Sequence, residues 1–207
     1  MLPPPVHLVT DRRLVSDLAG AVRLAVRQAA PGQVAVHLRE KDLGGAALLG
    51  TARALAALCH QAGQLLLVND RIDVALAAGA DGVHLPSRGV PPADARRLLG
   101  PGRLVGISCH AIEDVRAALA GGADYATFGP VFDTPSKRRY GAPVGLDALR
   151  GAAALGLPLI ALGGVDVARA AQVVEAGASG VAAIRAWLEA PDPGRPVAAF
   201  IEAATRP

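Results

Sequence analysis

The chain has 207 residues, of which 52% are hydrophobic, 19% charged and only 3% aromatic. That much apolar material excludes a disordered chain, and the length suits a single domain spanning 1–207 rather than a multidomain enzyme. Lysine and arginine total 21 against 18 for aspartate and glutamate, a net charge of +3 with no run of like charges, so nothing calls for a nucleic-acid partner.

Residues 1–5 are proline-rich and lack a basic region followed by an apolar stretch, so no secretory signal is expected. No stretch reaches the roughly 18 apolar residues of a membrane span. Cys59 and Cys109 stand far apart without metal-ligand spacing, which predicts a reduced, cytoplasmic protein.

Apolar runs of strand length then alternate with alanine- and leucine-rich segments of helical length along the whole chain. The runs at 6–10, 34–39, 64–69, 81–85, 103–108, 125–129, 157–163 and 180–183 predict strands. Segments 16–29, 46–62, 112–120 and 167–176 have helical composition. A repeated junction, Gly79-Ala80-Asp81, Gly122-Ala123-Asp124 and Gly177-Ala178-Ser179, closes a helix and opens a strand each time. Eight such βα units without a long break predict a closed (β/α)8 TIM barrel rather than an open doubly wound sheet. No G-x-G-x-x-G follows the first strand, so no dinucleotide site is expected.

In a barrel of this kind the chemistry sits on the loops after the strands. After the second strand, His37, Arg39 and Lys41 share one face by the two-residue alternation of a strand, and two cations at a barrel mouth suit an anionic ligand. The alternative is a solvated turn paired with Glu40 and Asp42. Asn69 closes the third strand, and Asp70 reads as a helix cap before a cation ligand. His84 on the fourth strand reads as a buried histidine bonded to a neighbouring strand end. Ser108 and His110 share a face after the fifth strand, as a substrate hydrogen-bonder and an acid-base group. The irregular segment 129–141 carries Thr134, Ser136 and Lys137 with glycine and proline, the composition of a lid over a phosphorylated substrate. Gly163-Gly164, with Arg185 after the eighth strand, stands where this fold binds phosphate.

Taken in chain order, His37-Leu38-Arg39-Glu40-Lys41, Asn69-Asp70, Asp81-Gly82-Val83-His84-Leu85, Gly106-Ile107-Ser108-Cys109-His110, Gly129-Pro130-Val131-Phe132 with Thr134, Ser136 and Lys137, and Leu162-Gly163-Gly164-Val165 resemble the thiamin phosphate synthases and their relatives, the thiazole tautomerases. The resemblance implies pyrophosphate binding by Arg39, Lys41, Asn69 and Lys137, loop hydroxyls at Thr134 and Ser136, a thiazole-phosphate cradle at Gly163-Gly164, and a magnesium carboxylate at Asp70. Against the synthase pattern, Gly89 stands at the second magnesium carboxylate with Arg88 beside it, His37 replaces a glutamine, and Arg185 stands near a phosphate-binding serine. Against the tautomerase pattern, Pro130 replaces the loop histidine, leaving His110 or His37 as the acid-base group.

The resemblance therefore implies an enzyme of thiamin biosynthesis that binds thiazole phosphate. A tautomerase isomerising carboxythiazole phosphate without a cofactor is placed first. The alternative is a synthase using Mg2+ and a pyrimidine pyrophosphate, and the second alternative is a non-catalytic binder of thiamin precursors. The partners implied are small molecules, with no nucleic acid and no membrane; a homo-oligomer is left open.

Overall fold

Each apolar run that alternates with a helical segment becomes one strand of a single closed sheet. The computed structural model describes residues 2–134 and 142–205. Its strands are β1 (Val6–Val9), β2 (Val34–Leu38), β3 (Leu65–Asn69), β4 (Gly82–Leu85), β5 (Leu104–Cys109), β6 (Tyr125–Phe128), β7 (Leu159–Leu162) and β8 (Gly180–Ala183). All neighbours run parallel in sequence order, and β1 pairs with both β2 and β8, so the expected (β/α)8 barrel closes. The helices are α1 (Leu18–Val26), α2 (Gly45–Gln61), α3 (Ile72–Ala78), α4 (Pro92–Leu99), α5 (Ile112–Ala120), α6 (Gly145–Ala153), α7 (Val167–Glu175), a short α8 (Arg185–Leu188) and α9 (Gly194–Thr205). Among the described residues no helix is long and apolar enough to cross a membrane.

Both faces of every strand are covered, which is why the runs are nearly continuous in apolar residues. One face packs on the helices. The other fills the barrel interior, where Ala35, Leu67, Leu104, Tyr125, Ile160 and Ala182 form a separate apolar cluster. Gly106 belongs to this interior for a steric reason: a Cβ there would lie 2.0 Å from Cζ of Tyr125, whose ring crosses the barrel over it.

The repeated helix-to-strand junction serves the end of the barrel away from the strand-end loops. Gly79, Gly122 and Gly177 take left-handed φ values of 68°, 76° and 94°, which glycine adopts without steric cost. Two residues later, the Asp81 carboxylate accepts from the backbone N–H of Leu66 at 2.8 Å, and Asp124 accepts from that of Val105 at 2.7 Å. Each acid thus ties its own strand to the preceding one. At the far edge, Trp187 donates from Nε1 to the carbonyls of Val9 and Ala183, pinning α8 where β8 meets β1.

Element ends differ from the sequence reading by one to three residues at most junctions. The largest shift is at α1, which ends at Val26, three residues early, and begins at Leu18, where Asp17 accepts from the Gly20 N–H at 2.9 Å and caps the helix.

Candidate active site

The two-residue alternation of β2 to β6 turns Arg39, Asn69, His84, Ser108 and Thr127 inward at the carboxyl ends of the strands. Together with His37, Lys41, His110 and Gly163 they line a cavity of about 220 Å3 at the barrel mouth, whose remaining walls include Val9, Pro130, Leu162 and Ile184. A second cavity of about 400 Å3 continues from it, sharing Arg39, Leu162, Gly163 and Ile184 and reaching Thr134, Gly164 and Arg185. Most of the residues singled out from the sequence therefore converge on one continuous space. Ser136 and Lys137 lie outside the described residues.

On one side of the mouth stand the cations. Neither Arg39 nor Lys41 makes a side-chain hydrogen bond or ion pair with another described residue, which sets aside the solvated-turn alternative that paired them with Glu40 and Asp42. Glu40 is buried instead. It accepts from the Thr10 hydroxyl at 2.6 Å and from the Arg12 backbone N–H at 3.0 and 3.1 Å, while the Thr10 oxygen accepts from the Arg39 N–H at 3.0 Å. This clamp fixes the backbone between the two cations against the loop after β1. Thr10 and Glu40 were missed as supports of the site because they lie 30 residues apart.

Asn69 lines both the mouth cavity and an adjoining recess with Lys41, Asp70 and Arg71. The cap expected of Asp70 is not made. The N-cap of α3 is Arg71, without a side-chain cap bond, and Asp70 stands exposed with a left-handed φ of 66°. A residue that turns the chain this way cannot fold its carboxylate back over the helix start.

The imidazole beside Ser108 is that of His84, at 2.9 Å from Nε2 to the serine oxygen, and not that of His110. Strand β5 ends at Cys109, so His110 leaves the strand and stands at the rim. There its Nδ1–H donates to the Gly129 carbonyl, which leaves Nε2 without a proton in the neutral ring. Cys109 also lines the cavity, but burial pushes its thiol up to about 12, so it stays protonated and is no nucleophile near neutral pH.

His37 forms the floor rather than the wall. It is buried, Nε2 lies 2.6 Å from Nδ1 of His7, and its pKa is held well below the usual histidine value, first by burial and then by the neighbouring His7 and His84. Arg39 and Lys41, which share its strand face in the sequence, are not among the causes. Beneath the floor, His7 and Tyr125 complete a buried polar cluster that the sequence reading did not find. The sequence shows only that these histidines take inward positions on strands one, two and four; that they meet is a matter of barrel register.

Across the mouth, Gly163 and Gly164 both have positive φ, 97° and 66°. A side chain at 163 would strike Pro130 at 2.5 Å, and one at 164 would strike the Asp133 carbonyl at 2.8 Å, so bare backbone faces the cavity. Thr134 and Arg185 line the same end, Arg185 exposed and paired with Glu189.

The family model described as thiamine monophosphate synthase matches residues 6–187. The chain belongs to the thiamine monophosphate synthase family. A putative thiamine-phosphate synthase of Geobacter sulfurreducens is 50% identical over 191 residues, covering 91% of this chain and 88% of the relative. The thiamine-phosphate synthase of Roseiflexus castenholzii is 44% identical over 204 residues, covering 97% and 85%. Among solved structures, thiamine phosphate pyrophosphorylase from Pyrococcus furiosus superposes with a TM-score of 0.86 at 30% identity, covering 96% of this chain and 94% of that one. The two sequence relatives carry synthase names and the structural one a pyrophosphorylase name, which favours the synthase alternative and leaves the tautomerase reading, placed first from the sequence, without support.

Proposed function

We propose that this protein is a thiamine-phosphate synthase, joining hydroxymethylpyrimidine pyrophosphate to thiazole phosphate with release of pyrophosphate. The observation that carries the reading is a mouth with two distinct anion-holding ends, Arg39 and Lys41 on one side and the Gly163-Gly164 turn on the other, joined by one continuous cavity. A tautomerase acting on a single phosphate needs only one such end.

In this reading the pyrophosphate lies against Arg39, Lys41 and Asn69. The thiazole phosphate lies against Gly163, Gly164, Thr134 and Arg185, and the two rings meet over Ser108. Lys137 is assigned to the pyrophosphate and Ser136 to the substrate as a hydroxyl by resemblance alone, both lying outside the described residues. The bond between the pyrimidine methylene and the pyrophosphate oxygen breaks, and its electron pair leaves with the pyrophosphate. The thiazole nitrogen lone pair then forms the new carbon–nitrogen bond. No proton moves, so the chain's task is to hold two anions and stabilise the charge on the leaving group.

Magnesium is the cofactor that the synthase resemblance implies, and such an ion is held by one or two carboxylates plus substrate phosphates. Of the two acids in the recess, Glu40 is bound to Thr10 and Arg12, so Asp70 alone is free, between Lys41 and Arg71. Position 89 supplies no second carboxylate, because it is glycine. Among the described residues no group of three or more histidine, cysteine or acidic side chains could hold a metal. Asp70 is therefore the one carboxylate of the recess that could hold magnesium, together with the substrate's own phosphates, and Arg39 and Lys41 would share the leaving charge with it.

The direct test is pyrophosphate release by the purified protein, which should require both substrates together; release with neither dependence on thiazole phosphate nor formation of a joined product counts against the reading. His110 discriminates further. With no proton to transfer, His110→Gln should lower kcat less than about tenfold, whereas loss of an acid-base group costs on the order of 100-fold or more. Steady-state turnover of the variant, with its melting curve as a control for folding, decides between them.

A further inference from the structure

Under the floor of the mouth, a chain of buried polar groups runs up the barrel from Pro4 to Ser108, and its chemistry permits only one arrangement of protons. Nε2 of His7 lies 2.9 Å from the Pro4 carbonyl oxygen, which can only accept, so Nε2 carries the hydrogen. A neutral imidazole has one N–H, and burial keeps this ring neutral. Nδ1 of His7 is therefore bare, and it accepts from Nε2–H of His37 at 2.6 Å.

The Tyr125 hydroxyl lies 3.5 Å from that same His37 nitrogen, which already carries its proton and cannot accept another. The phenol must donate elsewhere, and Nδ1 of His84 stands 3.1 Å away. His84 then bears its own proton on Nε2 and gives it to the Ser108 oxygen at 2.9 Å, and more weakly to Thr127 at 3.3 Å. Having accepted from His84, the Ser108 hydroxyl has no acceptor for its own proton among the described residues, and it faces the cavity.

We infer that this one-way chain fixes Ser108 as a hydrogen-bond donor toward the ligand, with His7, His37, Tyr125 and His84 as positioning residues. The group seated on Ser108 must offer a lone pair, such as an unprotonated ring nitrogen or a phosphoryl oxygen. An N–H at the same place could use only the hydroxyl's remaining lone pair and would leave the Ser108 proton without an acceptor. Specificity at the cavity floor is thereby set by a carbonyl at the opposite end of the barrel. The inference rests on the synthase reading only for the identity of that ligand, since the proton arrangement belongs to the ligand-free protein.

The test is 15N NMR of the histidine rings in the ligand-free wild-type protein. His7, His37 and His84 should all show a protonated Nε2 and a bare Nδ1; a protonated Nδ1 on His84 overturns the inference. In Tyr125→Phe, His84 should lose its fixed tautomer and show averaged shifts at both nitrogens, while His7 and His37 keep theirs. An unchanged His84 in that variant also overturns it, because a purely structural tyrosine would leave the tautomer alone. Addition of 4-amino-5-hydroxymethyl-2-methylpyrimidine or of inorganic phosphate then distinguishes a ring nitrogen from a phosphoryl oxygen, the one that binds Ser108 moving the His84 Nε2–H signal. A signal that moves with neither probe overturns the assignment of Ser108 as the ligand's donor. In turnover, Tyr125→Phe should raise KM about tenfold with kcat nearly unchanged, the loss of one oriented hydrogen bond. If the tautomers are as stated and the wild type catalyses nothing, the synthase reading fails and the chain stands.

Discussion

Below pH 6.5 the protein should lose stability at about 4 kcal/mol per pH unit, and it should unfold well before its surface carboxylates titrate. The cause is the buried cluster of His7, His37 and His84. Burial lowers His7 and His84 to about 3 and holds His37 well below the ordinary value, with the Arg39 charge also lowering His84. In the unfolded chain all three return to about 6.5. Between those limits the unfolded state binds up to three more protons than the native one, so acid favours unfolding, and the stability present above pH 6.5 drains away as the pH falls toward 3. Each histidine contributes about 1.4 kcal/mol per pH unit, against a typical total of roughly 5 to 15 kcal/mol. The depressed carboxylates, Asp11 through its bond to Arg13 and Asp73 through its bond to Arg71, add to acid sensitivity only further down the scale. Urea midpoints measured from pH 8 to pH 4 check this. A midpoint that stays level down to pH 4 would show that the three rings are not buried and neutral.

The second large effect is expected at the cations. Arg39→Ala and Lys41→Ala should each lower kcat/KM on the order of 100- to 1000-fold, because in the proposed synthase reaction each removes a preorganised positive charge from where the leaving pyrophosphate would develop its own. Asp70→Asn provides the contrast. If magnesium were held there, losing its single free carboxylate would collapse the rate. If the cations alone carry the leaving charge, the variant should stay within about threefold of the wild type. Among the described residues both cations lack an ion-pair partner, and they stand at the ends of the backbone clamped by Glu40, so their removal should leave the melting temperature nearly unchanged. Steady-state kinetics of the three variants, with circular dichroism to establish folding, reads the comparison directly.

The barrel was legible because its strands carry apolar residues on both faces and its junctions repeat. Gly79, Gly122 and Gly177 mark the same left-handed turn in three units, and the pattern survives differences in helix length. The mouth was legible for a related reason: strand alternation alone puts Arg39, Asn69 and Ser108 inward, and a barrel turns inward positions at strand ends into a site. The layer beneath was not. His7 and His37 are 30 residues apart, and Tyr125 and His84 are 41 apart, so their contacts depend on barrel register and leave no local spacing. Asp70 was misread because a lone aspartate before a helix is usually its cap, and only the backbone shows the left-handed turn that prevents it. Ser108 was rightly placed at the mouth but given the wrong histidine, since the end of β5 at Cys109 releases His110 from the strand face.

The measurement that bears most directly on the account is product analysis of one preparation offered both candidate reactions. The protein is incubated with hydroxymethylpyrimidine pyrophosphate and thiazole phosphate, and separately with carboxythiazole phosphate, and the products are followed by mass spectrometry and by NMR. Thiamin phosphate and pyrophosphate forming in equal amounts, with the carboxythiazole left unisomerised, is the predicted result. Isomerised carboxythiazole phosphate, with no joined product and no pyrophosphate, would contradict it.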